Sequence, residues 1–317
     1  MSRHPFAFAR ARRLMGAGAV GAAIFALVLA GAYAQEAAPR PVIERAPGKV
    51  AFGKTVVIGG RLENGSAGDL VALERRTSSG SWTAVRTAPI DRDLKVRFRL
   101  KGVKKSARYR LQHNVSSASA AASAASSATS NGVRVRVAPK LMVRVRPARV
   151  MVGNGVRVRG RLRPTSVGRR VTIRRRAGGG WLTVARPRVK AGRYSTRFSV
   201  SNSTRSRIKV VFRGDATNTR AVRARKLAVY DRDLASWYGP GLYGNRTACG
   251  QTLGYDTMGV AHRTLPCGTK VSILYRGRSI TVPVIDRGPY GSAEWDLTRR
   301  AAARLKFSGH GTVGTLH

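Results

Sequence analysis

The chain is poor in acidic residues: 14 Asp and Glu stand against 60 Lys and Arg over 317 residues, a formal net charge of +46. The excess cannot be neutralised internally, so the protein carries a positive field that attracts polyanions and is screened by salt. Cysteine is scarcer still. There are only two, Cys249 and Cys267, with five histidines. Two thiols without further ligands make a poor zinc site, so neither a metal nor a cofactor is expected. Neither cysteine lies near the N-terminus, which excludes a lipidated cysteine there. Aromatics make up 7% and are not interleaved with the arginines. Single-stranded nucleic acid needs such stacking platforms, so nucleic acid is not an expected partner.

Long apolar runs are also lacking, with one exception. Arg3, Arg10, Arg12 and Arg13 are followed by the uncharged stretch Leu14 to Gly31 and then by Ala32-Tyr33-Ala34, small residues at both positions a signal peptidase reads. This pattern predicts a signal peptide over residues 1–34. The alternative is an uncleaved membrane anchor, because the run is near the spanning limit of about 17–25 residues. Either way the remainder is expected outside the cytoplasm, secreted or associated with the cell wall.

What the chain does have is an internal repeat. Pro47, Val50, Gly53, Val56, Gly60-Arg61-Leu62, Gly68, Val71, Arg75-Arg76 and Gly80 return at an offset of 100 as Pro147, Val150, Gly153, Val156, Gly160-Arg161-Leu162, Gly168, Val171, Arg175-Arg176 and Gly180. Runs such as Val156-Arg157-Val158-Arg159 alternate apolar with basic residues, the signature of a half-buried strand. Short strands with frequent Gly-rich turns predict two tandem immunoglobulin-like β-sandwich repeats, over 41–138 and 139–230. Trp82 and its counterpart Trp181 are expected as core anchors. Residues 116–130 are almost pure Ser and Ala and are expected to be a disordered loop of the first repeat. The arginine faces are either solvated strand surfaces that discourage edge aggregation or a means of adhesion to anionic wall polymers.

From about Ala235 the composition changes. Residues 235–317 hold ten basic and four acidic side chains, and both cysteines. An isolated pair in an exported protein is most simply a disulfide, contributing about 3 kcal/mol to a small domain. Asp286 follows the apolar run Ser279–Ile285 and precedes Arg287-Gly288-Pro289. A carboxylate at a strand end against such a turn is held rigidly at a cleft edge. The plainer alternative is an aspartate that caps loop amides.

Five blocks then fall in the order and spacing of the rare lipoprotein A (RlpA)-like family, which residues 235–317 resemble: Ala235-Ser236-Trp237-Tyr238-Gly239, Arg246-Thr247-Ala248-Cys249-Gly250-Gln251, Ala261-His262-Arg263-Thr264-Leu265-Pro266-Cys267-Gly268-Thr269, Asp286-Arg287-Gly288-Pro289-Tyr290 and Trp295-Asp296-Leu297-Thr298. The resemblance implies an all-β chain ending in a six-stranded double-psi β-barrel, the fold also used by expansins. It further implies a lytic transglycosylase that cleaves peptidoglycan between MurNAc and GlcNAc. Such cleavage needs one acid, because the sugar's own C6 hydroxyl closes an anhydro ring. By resemblance Asp286 is that acid and base, with His262 across the groove to orient it. Asp256, Asp296, Gln251 and Arg287 are supporting candidates, and Trp237, Tyr238 and Tyr290 are candidates for stacking on sugars. Active members commonly carry Glu at the position of Gln251 and Asp at that of Gly254. Those departures imply, as the alternative, a non-catalytic, expansin-like peptidoglycan-binding protein.

Overall fold

The structure, a computed structural model, describes residues 37–114 and 128–317. The expected signal peptide and most of the Ser/Ala segment lie outside those residues. Where that segment re-enters the described chain, Thr129 bridges Gln112.

The first section contains β1 (Arg40–Arg45), β2 (Lys49–Ala51), β3 (Lys54–Glu63), β4 (Leu70–Arg76), β5 (Trp82–Pro89), β6 (Lys95–Val103), β7 (Ala107–Asn114) and β8 (Val133–Ala138). They form a three-stranded sheet, β1-β3-β6, and a five-stranded one, β2-β8-β7-β4-β5. Alternation decides the faces. On β3, Val56, Ile58 and Leu62 are buried, and they join Leu73, Phe98 and Leu111 in one core.

The second section contains β9 (Lys140–Arg146), β10 (Arg149–Met151), β11 (Gly155–Arg163), β12 (Thr172–Ala177), β13 (Gly180–Ala185), β14 (Arg193–Ser199), β15 (Thr204–Phe212) and the first part of β16 (Ala221–Tyr238). A three-stranded sheet, β14-β11-β9, faces the run β13-β12-β15-β16, and Val156, Val158, Leu162, Ile173, Ile208 and Val229 lie between them. The sequence repeat is a repeat of register: Arg40 pairs with Glu63 in the first section, and Lys140 pairs with Arg163 in the second. Gly160 has a physical reason to recur with Gly60. A Cβ there would collide with the Met142 carbonyl and the Tyr194 hydroxyl, and that hydroxyl donates to Met142 O at 2.7 Å.

Trp82 and Trp181 do not anchor these cores. Both are half-buried on β5 and β13, where Arg110 lies 4.5 Å from the Trp82 ring and Lys209 lies 3.8 Å from that of Trp181. In a chain so rich in cations, the aromatic face is better placed against a cation than inside a sheet stack.

The remaining elements are β17 (Val260–Ala261), β18 (Lys270–Tyr275), β19 (Arg278–Asp286), β20 (Trp295–Thr298), α1 (Arg299–Leu305) and β21 (Gly311–Leu316). The order β16-β20-β17-β19-β18-β21, with β21 pairing back onto β16, closes a six-stranded barrel. Trp295, Leu297, Val260, Ile273, Val284 and Val313 fill it. The helix, the only one among the described residues, starts on Thr298, whose hydroxyl accepts from Ala301 N–H, and it buries Ala301, Ala302 and Leu305 against the barrel. No helix among the described residues is long and apolar enough to cross a membrane.

β16 belongs to both the second section and the barrel. Its first part pairs with β15 up to Val229. Its second part pairs with β21 from Asp231, ahead of the Ala235 boundary expected from composition. The junction is packed. Tyr230, Leu274 and Leu316 form a small core with Met151, and the Tyr230 hydroxyl lies 3.1 Å from Ser272 Oγ. Gly314 allows this approach, since a Cβ there would stand 2.8 Å from the Tyr230 Cβ.

Candidate functional site

One end of the barrel gathers polar side chains from four strands. Ala261 on β17 is the hub. It pairs with Asp286 at the end of β19 and with Asp296 on β20, so two carboxylates flank the same short strand. β16 runs beside β20 and sets Ser236 opposite Asp296 and Tyr238 opposite Thr298. Period two puts Ser236 and Tyr238 on one face.

Asp286 is half-buried, and its Oδ1 accepts two backbone N–H groups, Ala248 at 2.8 Å and Arg287 at 2.9 Å. Oδ2 has no protein donor among the described residues. The Ala248 donor is brought there by the Cys249–Cys267 disulfide, which ties the 240s loop to the segment after β17, while Cys249 N–H donates to Ile285 O at 3.3 Å. The expected disulfide is therefore present.

Asp296 accepts from Ser236 Oγ at 2.8 Å. Burial pushes its carboxyl pKa above the usual aspartate value; the nearby Asp286 charge adds to the rise and the Ser236 bond opposes it. The Tyr238 phenol is raised as well, first by burial, then by the charges of Asp286 and Asp296, and by a hydrogen-bonding approach to Asp286. Its hydroxyl is buried facing the Asp286 carboxyl and makes no close hydrogen bond among the described residues. The cluster thus holds two carboxyl groups at one mouth and a phenolic donor free to bond something else.

His262 takes a different place from the expected one. Its backbone N–H donates to Asp286 O at 3.2 Å, but its ring is set against Glu294 rather than the Asp286 carboxylate. Nδ1 accepts from the N–H groups of Thr264 and Leu265 at 3.2 and 3.0 Å. That leaves the ring proton on Nε2, which donates to Glu294 Oε1 at 3.1 Å. The ring lies tilted against Trp295, with centroids 4.3 Å apart. Arg287 points back, donating to Leu265 O at 3.0 Å. Arg263 clamps the following loop, donating to Pro289 O, Gly291 O and Ala293 O at 2.8, 2.6 and 2.7 Å.

The other candidates scatter. Asp256 is exposed and pairs with Arg300 at 3.4 Å, outside the carboxyl cluster. Gln251 is exposed at a turn whose backbone C=O accepts from Thr247 N–H. Tyr290 is 86% exposed beside the mouth. Trp237 is half-buried and packs on the barrel core, on the opposite face of β16 from Ser236 and Tyr238. Sequence reasoning missed Ser236 and Glu294. Period two on β16 already linked Ser236 to Tyr238, but only the β16–β20 pairing gives Ser236 to Asp296. Among the described residues no group of three or more acidic, His or Cys side chains could hold a metal.

Residues 232–315 match a family model described as lytic transglycolase. Over 85 residues the chain is 45% identical to the "Probable endolytic peptidoglycan transglycosylase RlpA" of Synechocystis sp., a match covering 25% of this chain and 26% of that protein. It is 42% identical over 83 residues to the "Endolytic peptidoglycan transglycosylase RlpA" of Campylobacter jejuni, covering 25% and 30%. With the Aquifex aeolicus protein bearing the Synechocystis protein's name, it shares 38% over 92 residues, covering 28% and 41%. The chain therefore spans well under half the length of these relatives. A solved tetra-tandem repeat from the extending region of a large adhesion protein aligns with a TM-score of 0.32 at 13% identity, covering 81% of this chain and 64% of that one, a likeness too slight to assign a fold. The C-terminal barrel is an RlpA-like double-psi β-barrel.

Proposed function

We propose that this is an exported cell-wall protein whose barrel cleaves peptidoglycan glycan strands by lytic transfer, with Asp286 as general acid and base. Residues 1–34 serve as the export signal, and the two repeats are tandem immunoglobulin-like sandwiches that carry the barrel. The printed names of the curated relatives support the reaction class over the C-terminal quarter. The observation that carries the site is the Asp286 carboxyl. Two N–H groups fix its Oδ1, Oδ2 is unclaimed, and Asp296 and Tyr238 stand beside it.

In the reaction, Asp286 gives its proton to the glycosidic oxygen as that oxygen leaves the anomeric carbon. The C6 hydroxyl of the same sugar bonds to that carbon, and its proton passes to Asp286, which ends as it began. One carboxyl thus serves twice, where hydrolysis needs two carboxyl groups and a water. Asp296 supplies a second carboxyl that burial keeps protonated to higher pH. The Tyr238 hydroxyl can bond a sugar hydroxyl. His262 and Glu294 brace the wall behind.

The experiment is digestion of glycan strands free of stem peptides, read by mass spectrometry. Anhydro-sugar ends that vanish with Asp286→Asn support the proposal. No products from the wild type would overturn it in favour of the second reading, an expansin-like module that binds without cutting. Asp256 favours that reading: it is exposed, turned to Arg300 at 3.4 Å, and is not among the groups gathered around Asp286. Retention on purified wall at moderate salt, without products, is its signature.

A further inference from the structure

The outward face of the β14-β11-β9 sheet is a grid of arginines. Arg157 stands between Arg146 on β9 and Arg197 on β14, Arg159 opposite Arg144, and Arg161 opposite Arg193. All are exposed, and none forms an ion pair among the described residues. Neighbouring strands lie about 4.8 Å apart, and same-face residues along a strand about 6.7 Å. Like charges at that spacing repel. Nothing nearby offsets them, because Asp215 is the one acidic residue between Lys140 and Tyr230, and it pairs with Arg169 at 2.8 Å.

The fold does not require this. The β1-β3-β6 sheet has the same register as far as Ile43, where a bulge shifts β1, and it carries Val57 and Gly59 where the second copy has Arg157 and Arg159. Glu44 and Glu63 stand where the second copy has Arg144 and Arg163. There two of the cations are answered: Arg61 reaches Glu44 at 3.1 Å and Glu63 at 2.7 Å, and Arg40 reaches Glu63 at 3.3 Å. The first copy keeps two acids on this face and pairs Arg40 and Arg61 with them, although Lys95, Arg97 and Arg99 stay unpaired among the described residues, whereas the second copy carries no acid on it.

We propose that the β14-β11-β9 face is a docking surface for a linear phosphodiester polymer without bases, such as a polyol phosphate. The guanidinium fork matches phosphate with paired N–H bonds and keeps its charge at any physiological pH. No exposed aromatic lies on these strands to stack a nucleobase, and no exposed large apolar side chain to enter a membrane. The sheet presents its cations in rows that a flexible chain of repeated anions can follow. The surface is separate from the barrel mouth and does not depend on the barrel being an enzyme.

The test titrates the full chain with poly(glycerol phosphate), which has no glycosidic bond, so its outcome is independent of glycan cleavage. Arg144→Glu with Arg163→Glu installs the residues with which the first copy folds. Binding is expected to weaken at least tenfold, with the slope of log affinity against log salt falling by about 1.4 for two lost contacts. Should that pair fail to fold, Arg157→Val with Arg159→Ser gives the same readout. Arg205→Glu with Arg207→Glu, an equal change of charge on the exposed side of β15, is expected to change affinity less than about threefold. Equal losses from the β15 pair, no binding by the wild type, or tighter binding of polygalacturonate or single-stranded DNA of equal charge would overturn the proposal.

Discussion

At the scale of single residues, the mouth of the barrel is a set of polar groups in unequal states of satisfaction. Asp286 has one oxygen fixed by two N–H donors, His262 is satisfied at both nitrogens, and the Tyr238 hydroxyl faces Asp286 without a close hydrogen bond among the described residues. A buried hydroxyl without a partner costs stability, so something outside the protein is the natural acceptor. Tyr238→Phe is therefore expected to leave the melting temperature unchanged or raise it, by up to about 1 kcal/mol of stability, while lowering glycan affinity. A thermal melt beside a wall-binding assay separates the two effects. Asp296 gives a pH signature. Its folded pKa lies above its unfolded value, so the acid form favours the folded state, and stability is lost as pH rises through the unfolded value toward the raised one. Asp296→Asn keeps an acceptor for Ser236 and removes the charge. It is expected to stabilise the protein at neutral pH and to give no gain below pH 3, as denaturant midpoints at the two pH values would show.

At the scale of elements, each part of the proposed site depends on a connection that lies elsewhere. Asp286 is aimed by Ala248, and Ala248 is held by the neighbouring disulfide, which links cysteines 18 residues apart. Replacing Cys249 and Cys267 with serine is expected to cost about 3 kcal/mol of stability in denaturant unfolding. It should also lower cleavage under conditions where the variant is still fully folded, because a loosened 240s loop no longer presents its N–H to Oδ1. Equal activity in the folded variant would show that Asp286 is aimed by Arg287 alone. How much of this was legible in the sequence differs from part to part. The strands of the two repeats were readable because Val and Arg alternate, and the disulfide because only two cysteines exist. The His262–Glu294 contact was not readable, because the residues are 32 apart and meet only after Arg263 has folded the intervening loop back. The tryptophans were misread for a related reason. Size argues for the core, but the cations facing Trp82 and Trp181 come from other strands, whose pairing sequence alone does not give.

At the scale of the molecule, the shared strand β16 makes the barrel continuous with the second basic section. Asp231 to Leu234 pair with β21, and Asp233 accepts from both Trp295 Nε1 and the Thr315 hydroxyl. A barrel fragment begun at Ala235 loses those contacts. It is expected to be less stable than one begun at Val229 by about 2 kcal/mol or more, counting about 1 kcal/mol for each of the two lost side-chain hydrogen bonds. Calorimetry of the two fragments checks this. A continuous strand with a packed junction at Tyr230 joins the section that bears the arginine face directly to the barrel, with no linker between them.

The sequence by itself determined the charge, the alternation, the repeat offset of 100, the single cysteine pair and the motif blocks of the barrel, because each is a local pattern or a count. Only the tertiary structure decided which polar groups meet. Barrel closure brings Asp286, Asp296 and Tyr238 to one mouth, gives His262 to Glu294, and leaves Asp256 outside. It also separated two repeats that look alike in sequence. Strand pairing, with a bulge at Glu44, sets Glu44 and Glu63 beside Arg61 in one sheet, and register sets arginine beside arginine in the other. The physical reason is the same in both cases. Period and composition are carried along the chain, whereas electrostatic and hydrogen-bond partners are chosen across strands, by a register fixed only when the core packs.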